Sequence, residues 1–98
     1  MKTKINRFGD HIRTLRNDKG LLLRQMAAHL ETDTAFVSKL ERGEKKATRE
    51  QVLKLAQFLK VDKEELLMFW LADRISEVIS GEPLGKNALN LVLNNCKK

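Results

Sequence analysis

The stretch Asp33-Thr-Ala-Phe-Val-Ser-Lys-Leu-Glu-Arg-Gly43 decides the fold of this chain. Val37 and Leu40 are three residues apart, which is the spacing of apolar side chains on one buried face of an α-helix. Asp33 is a favourable N-cap, because its carboxylate can accept hydrogen bonds from the free backbone N–H groups of the first turn. Gly43 is a typical residue for ending a helix. The stretch therefore predicts a helix over about Thr34–Glu41.

Helical spacing extends over most of the chain, and alternating strand patterns do not occur. Capping boxes mark two helix starts, because Thr48 is followed three residues later by Gln51, and Asp62 by Glu65. The predicted helices are, in chain order, about 7–19, 23–30, 34–41, 49–59, one that opens near 63, and 86–94. An all-α fold is expected.

Length and charge indicate one domain with two different surfaces. The 98 residues fit a single compact domain. Residues 1–50 hold 12 basic and 7 acidic side chains, whereas residues 51–98 hold 7 and 6, for a net charge of +6. A basic half joined to a nearly neutral half suggests one face for a polyanion and another for a different partner. The alternative is that mild basicity only aids solubility.

Several classes of protein are not expected. The single cysteine, Cys96, cannot form an intrachain disulfide, which points to a reducing, intracellular setting. The longest apolar run, Leu66–Ala72, is far shorter than the ~20 residues that span a bilayer, and the N-terminus lacks the pattern of a secretory signal. His11, His29 and the cysteine are too few and too scattered for a zinc site. Without paired carboxylates in an apolar pocket, a phosphate loop or an activated nucleophile, we expect no enzyme and no cofactor.

The two helices at 23–30 and 34–41 are joined by only three residues and form a helix-turn-helix pattern. The string Ser-Lys-Leu-Glu-Arg-Gly at 38–43 makes this pattern specific, together with Met26-Ala27 before it and Val-Leu-Lys-Leu-Ala at 52–56 after it. Here the chain resembles the Cro/cI-type (XRE) family of helix-turn-helix transcriptional regulators of phages and bacteria. The resemblance covers about Phe8 to Leu67.

The resemblance implies a compact five- to six-helix bundle of the lambda-repressor-like DNA-binding type. The DNA-binding domain would cover residues 1–67, and residues 68–98 would form a C-terminal helical extension for dimerisation within the same compact unit. In that family the helix that corresponds to residues 34–41 lies in the major groove of double-stranded DNA. We therefore expect a sequence-specific regulator that reads a palindromic operator as a homodimer, in the bacterial cytoplasm and associated with the nucleoid.

Carried over residue by residue, the positions that touch base edges are Thr34, Ala35, Ser38 and Lys39. Their chemistry fits, because lysine donates to guanine O6 and N7, serine donates or accepts, and the methyl groups of threonine and alanine pack against the thymine methyl. Helical spacing places the four on one side, away from Val37 and Leu40. The alternative is an ordinary solvated face.

The candidate phosphate contacts are Arg24, Arg42, Lys45 and Lys46. Such contacts hold the register of the protein on DNA without reading sequence. For Lys45 and Lys46 the alternative is a solvated loop.

The resemblance also implies a structural ion pair between Arg16 and Glu41. A half-buried carboxylate needs such a partner, because an unpaired one pays a desolvation penalty. Two departures from the family pattern stand out. Leu22-Leu23 replaces the usual capping residue and glutamine, which leaves Arg24 as the candidate anchor of the second helix. Glu31 replaces the glycine of the turn, where a left-handed backbone would cost about 1 kcal/mol.

The run Leu66–Ala72 is apolar around the full circumference of a helix, whereas a surface helix should show one stripe. Leu66, Leu67 and Trp70 can face the core, and the rest must be covered by the apolar cluster at 88–93 or by a two-fold partner. We expect a homodimer through residues 66–95, with an internally closed monomer as the alternative. The candidate dimerisation residues are Met68, Phe69, Leu71, Ile75, Leu89 and Val92.

A rival interpretation is a protein-binding module, such as an antitoxin or a coactivator-like adaptor that uses the same fold. The apolar residues Leu21 to Leu23 and the exposed part of the run 66–72 favour it. Further partners that the resemblance admits are RNA polymerase and a cognate toxin, and no membrane is expected. Control of a restriction–modification operon, a prophage switch and a toxin–antitoxin pair all stay open, as do repression and activation.

Overall fold

A computed structural model of the protein describes residues 6–96, and within that range the chain forms six α-helices and no strand. The helices are α1 (Arg7–Asp18), α2 (Leu23–Leu30), α3 (Thr34–Arg42), α4 (Arg49–Leu59), α5 (Lys63–Ile79) and α6 (Gly85–Asn95). The all-α fold class is confirmed, and each predicted helix boundary lies within a residue or so of the observed one. None of the helices in this range is long and apolar enough to cross a bilayer.

The predicted caps explain why the helices begin where they do. Asp33 accepts a hydrogen bond from the backbone N–H of Phe36 at 2.8 Å. Thr48 and Gln51 form a reciprocal capping box, in which each side chain accepts from the backbone N–H of the other, at 3.2 and 3.0 Å. Asp62 caps α5 through the N–H of Glu64 at 3.3 Å, but the predicted capping box with Glu65 does not form, and the Glu65 carboxylate instead contacts His11 at 3.0 Å. These local bonds satisfy backbone groups that a helix start leaves without partners.

The core lies where helices α1 to α5 meet. Its largest fully buried side chains are Ile12, Met26, Val37, Leu40, Val52, Leu55, Leu59 and Leu66. Burial of each stabilises the fold by roughly 1.5–3 kcal/mol relative to exposure. Leu66 and Trp70 are buried and Leu67 is packed against the same core, as the sequence predicts.

Helix α1 fixes the position of α3 through a close approach of the two backbones at Gly9. A Cβ atom at this glycine would lie 2.5 Å from the carbonyl oxygen of Glu41 and 2.6 Å from that of Leu40. The side chain of Asn6 lies beside the same contact and donates to the Glu41 carbonyl at 2.8 Å. The start of α1 therefore holds the C-terminal part of α3.

Helix α5 ties the loop after α3 to the rest of the bundle. The indole Nε1 of Trp70 donates to the carbonyl of Ala47 at 2.8 Å, and both residues are buried. One turn further along α5, the Asp73 carboxylate accepts from the backbone N–H groups of Phe8 and Arg7, at 2.9 and 3.1 Å. The same helix thus anchors both the start of α1 and the end of the loop.

Helix α6 makes almost no contact with the other five helices. It is held to α5 by a tight turn in which Gly85 is buried and leaves no room for a side chain against Ile79. The apolar cluster at 88–93 therefore does not cover the apolar side chains of α5. A row of these side chains stays exposed, and we call it the α5 stripe. The α5 stripe consists of Met68, Leu71, Ile75 and Val78, all of them exposed.

Candidate nucleic-acid interface

Helices α2 and α3 form the predicted helix-turn-helix unit. The turn between them begins at Glu31, whose backbone is left-handed with φ 59° and ψ 46°. The backbone N–H groups of Glu31 and Thr32 close the end of α2 on the carbonyls of Ala28 and Ala27, at 3.1 and 2.9 Å. The turn thus keeps the conformation that the glycine of the family pattern would supply, at a cost of about 1 kcal/mol.

Helix α3 divides into a buried and an open side. Val37, Leu40 and Glu41 are buried. The four residues predicted to touch bases lie on the open side, where Thr34, Ala35 and Lys39 are exposed and Ser38 is half-buried. The structure therefore brings them together on one face, with hydroxyl, methyl and ammonium groups directed outward from the bundle.

The buried Glu41 lies in the last turn of α3, where it meets Arg16 of α1. The Arg16 Nε and Nη2 atoms donate to its two carboxylate oxygens at 2.7 and 3.2 Å. A third bond runs from Arg16 Nη1 to the carbonyl of Leu21 at 2.9 Å, which the sequence did not indicate. The ion pair implied by the resemblance is present, and it joins α1, α3 and the loop before α2.

Arg42, at the C-terminal end of α3, is held by two side chains. Its Nη1 donates to Ser38 Oγ at 2.5 Å, and its Nε and Nη2 donate to the Glu44 carboxylate at 2.9 and 3.1 Å. Hydrogen bonding to Glu44, followed by the charge of that carboxylate, raises the pKa of Arg42 above its ordinary value. One candidate phosphate contact is therefore linked directly to one candidate base contact.

The remaining candidate phosphate contacts have different surroundings. Lys45 and Lys46 follow α3 in an exposed loop, and the ammonium of Lys46 pairs with the Glu77 carboxylate of α5. Arg24 lies apart from them, exposed in the first turn of α2. The loop therefore adds positive charge beside the open face of α3, and α2 carries a further cation at its start.

The three leucines at the start of α2 differ in burial. Leu21 and Leu23 are partly buried and pack against the core, whereas Leu22 is 47% exposed. Leu22 occupies the N-cap position without a capping side chain, and its N–H donates to Gln25 Oε1 at 2.7 Å. Gln25 thus supplies half of a capping box and partly compensates for the missing cap.

A sequence profile of the helix-turn-helix domain family matches residues 7–68. The chain belongs to this helix-turn-helix family. With the Cro/cI-type motif in α3, the protein is a DNA-binding transcriptional regulator, a class whose members are generally not enzymes.

Solved structures of bacterial regulators resemble this one. The restriction-modification controller protein C.AhdI from Aeromonas hydrophila is 34% identical, with a TM-score of 0.58 over 62% of this chain and 88% of its own. The clp gene regulator ClgR from Corynebacterium glutamicum is 25% identical, with a TM-score of 0.60 over 74% of this chain and 94% of its own. A second ClgR structure, 22% identical and with a TM-score of 0.61, covers 92% of both chains and shows the fold alone. A search of curated proteins gave no significant match.

The candidate dimerisation residues of the regulator fall into two groups. Met68, Leu71 and Ile75 belong to the exposed α5 stripe, and Val92 is exposed on α6. Leu89 is half-buried. Phe69 is also half-buried, because its ring packs against the core and lies 4.5 Å from the ring of His11, centroid to centroid. Phe69 therefore belongs in part to the core of its own chain.

Sequence reasoning missed several residues that position the interface of the regulator. Gly9 and Asn6 hold α3 from the α1 side, and Trp70 holds the loop from the α5 side. A glycine inside a helical pattern is a usable signal for close packing. The contact of Asp73 with the start of α1 has no such signal, because its partners lie 65 and 66 residues away.

Proposed function

We propose that this regulator binds a palindromic operator as a homodimer, with α3 of each protomer in the major groove. The observation that carries the proposal is the division of α3 into a side anchored by Val37, Leu40 and Glu41 and an open side of short polar and basic residues. A helix fixed so firmly to the bundle can present side chains to base edges with little freedom to shift. The protein would act in the bacterial cytoplasm.

Base reading in this proposal falls to the open face of α3. Lys39 donates to guanine O6 and N7, and the methyl groups of Thr34 and Ala35 contact thymine methyls. Ser38 reads one further base edge through its hydroxyl. The four residues lie over two turns of one helix, which suits the reading of adjacent base pairs.

Phosphate binding falls to the cations around that face, Arg24, Arg42, Lys45 and Lys46. Arg42 has five N–H donors and uses three of them within the protein, so two remain for a phosphate. Lys46 exchanges Glu77 for a phosphate when DNA is bound. Since such exposed ion pairs contribute at most about 1 kcal/mol, this exchange has a small cost.

Dimerisation in this proposal covers the α5 stripe and the apolar side chains of α6. Met68, Leu71 and Ile75 are 62%, 42% and 46% exposed, and they recur every three or four residues along one face of α5. Val78 and the exposed leucines of α6 extend this apolar surface, and a stable interface takes ~800 Å² from each partner. A two-fold axis there would place two α3 helices on one operator.

The test is the selection of bound duplexes from a random pool at moderate salt, followed by sequencing. The proposal predicts enrichment of a palindrome whose half-sites lie about one helical turn apart, roughly 34 Å. As a control, the Lys86→Ala variant should enrich the same palindrome as the wild type. This exposed lysine lies on α6, outside the residues 7–68 that match the family. Enrichment of a single half-site would contradict the dimer, and no enrichment would contradict sequence-specific reading.

The exposed Leu22 favours a second candidate function. An apolar side chain at the surface beside α2 suits an adaptor that holds a protein, such as a cognate toxin or RNA polymerase, through this fold. For the adaptor, Lys39→Ala would leave partner binding intact and Leu22→Ser would weaken it. For the operator-binding regulator, Lys39→Ala would relax the selected DNA motif and Leu22→Ser would leave the motif unchanged.

A further inference from the structure

Ser38, Arg42 and Glu44 form a continuous chain of hydrogen bonds on the DNA-facing side of α3. Arg42 lies in the middle and uses opposite edges of its guanidinium, one toward Ser38 Oγ at 2.5 Å and the other toward both carboxylate oxygens of Glu44. The two bonds to Glu44 are parallel and have the bidentate geometry that fixes the plane of a guanidinium. The orientation of this plane in turn fixes the direction from which the Nη1–H group of Arg42 reaches Ser38 Oγ.

The contact with Arg42 determines what the Ser38 hydroxyl can offer to a base. A serine hydroxyl has one O–H donor and two acceptor lone pairs, and a guanidinium can only donate. Ser38 Oγ is therefore the acceptor in its bond with Arg42, and its own proton is directed elsewhere. The cation at 2.5 Å also repels a second N–H donor that approaches the same oxygen.

A hydroxyl held in this way prefers base edges that accept a hydrogen bond. In the major groove these are N7 and O6 of guanine, N7 of adenine and O4 of thymine. The amino groups of cytosine and adenine are donors and would meet the occupied side of the hydroxyl. A free serine, by contrast, rotates to suit either kind of edge and discriminates little.

We infer that Arg42 and Glu44 are positioning residues that determine base specificity at the Ser38 position, by holding the Ser38 hydroxyl as a hydrogen-bond donor. The inference rests on the proposed function, in which Ser38 faces a base. Arg42 and Glu44 are both about half exposed, so their pair adds little to the stability of the fold. Their effect is on the orientation of a side chain that reads DNA.

The ion pair between Lys46 and Glu77 provides a matched control. It also joins a DNA-facing cation to a carboxylate, and both of its side chains are exposed. Lys46 donates to no base-reading side chain among the hydrogen bonds of the described residues. Removal of the Glu77 charge should therefore raise the affinity for all DNA sequences alike and leave the base preferences unchanged.

The experiment measures relative affinities for all four bases at every position of the selected operator, with the full chain. The variants are Ser38→Ala, Lys39→Ala, Glu44→Gln, Arg42→Lys and the control Glu77→Gln. We expect Ser38→Ala, Glu44→Gln and Arg42→Lys to lower the preference at one and the same position per half-site, by roughly three- to tenfold. Arg42→Lys keeps the positive charge but cannot form the bidentate contact, so a loss in this variant assigns the effect to geometry. Thermal unfolding would verify that each variant is folded.

The outcomes separate this inference from the proposed function. If Ser38→Ala relaxes one position while Glu44→Gln and Arg42→Lys leave it intact, the inference is overturned and the proposed reading of DNA stands. If Glu44→Gln raises the affinity for all sequences alike and leaves every base preference unchanged, as Glu77→Gln should, the carboxylate acts through charge alone and the inference is again overturned. If neither Ser38→Ala nor Lys39→Ala changes any preference, the proposed function itself fails.

Discussion

At the scale of single residues, the buried carboxylate of Glu41 holds α3 in place. Glu41 is 4% exposed, and a charged group so far from water must be paired. Arg16 supplies two bonds to it and a third to the Leu21 carbonyl. The pair therefore fixes α3 against α1. Removal of only one of its two side chains should destabilise the fold, because the other charge would lose its partner.

The variant Glu41→Ala should lower the free energy of unfolding by about 3–5 kcal/mol, because it leaves the Arg16 guanidinium buried without its counter-charge. Urea unfolding followed by circular dichroism measures the loss. The double variant Arg16→Met, Glu41→Leu replaces both charges with apolar side chains and should recover most of it. If the single and double variants lost the same free energy of unfolding, the unpaired Arg16 guanidinium would not be the cause of the destabilisation.

At the scale of elements, the contact of α1 with α3 sets the position of the whole recognition unit. Gly9 faces the carbonyl oxygens of Leu40 and Glu41, which are backbone atoms and cannot rotate away. Only a residue without Cβ allows this approach. The geometry of the two helices therefore depends on one missing methyl group.

We predict that Gly9→Ala lowers the free energy of unfolding by about 1–3 kcal/mol through overpacking. The direction is informative, because alanine is the better helix former by about 1 kcal/mol and would otherwise stabilise α1. Gly20→Ala is the control: its backbone is left-handed with φ 67° but its Cβ would meet no atom within 4 Å, so only the conformational cost of about 1 kcal/mol applies. Stabilisation by Gly9→Ala would show that α1 and α3 do not approach so closely.

The sequence predicts the elements well because the signals that define them are local. The Asp33 cap, the Thr48 capping box and the apolar spacing of α3 all act within a few residues, and each is confirmed. The contacts of Gly9 and Asp73 could not be predicted, because their partners are distant in the chain and no spacing rule connects them. The hydrogen bond between Arg42 and Ser38 could not be predicted either. Its i to i+4 spacing is present in the sequence, but the orientation of Arg42 also depends on Glu44, whose position is set by the loop conformation.

At the scale of the whole molecule, the α5 stripe and most of the apolar side chains of α6 are exposed in the single chain. An 11-residue helix with few tertiary contacts is marginally stable in water, so the proposed dimer would stabilise α6 by covering it. The second half of the chain is nearly neutral. In the proposed regulator, the dimer interface and the basic surface that binds DNA therefore lie at different parts of the molecule.

We expect the double variant Leu71→Glu, Ile75→Glu to be a monomer in sedimentation, because two carboxylates cannot be buried at an apolar interface without a large desolvation cost. The control is Leu53→Glu, an exposed leucine of α4 outside the stripe, which should remain a dimer. A dimer of the double variant with the same dissociation constant as the wild type would place the interface elsewhere.

In the proposed regulator, the open face of α3 reads sequence and the loop after it only holds phosphates, and one set of titrations separates these two roles. The titrations compare Lys39→Ala and Lys45→Ala on the selected operator and on a random duplex over a range of salt. Lys39→Ala should cost about 1–3 kcal/mol on the operator and little on the random duplex, whereas Lys45→Ala should weaken both alike and reduce the salt slope by about one. If both variants weakened the two duplexes equally, α3 would not be the element that reads the DNA.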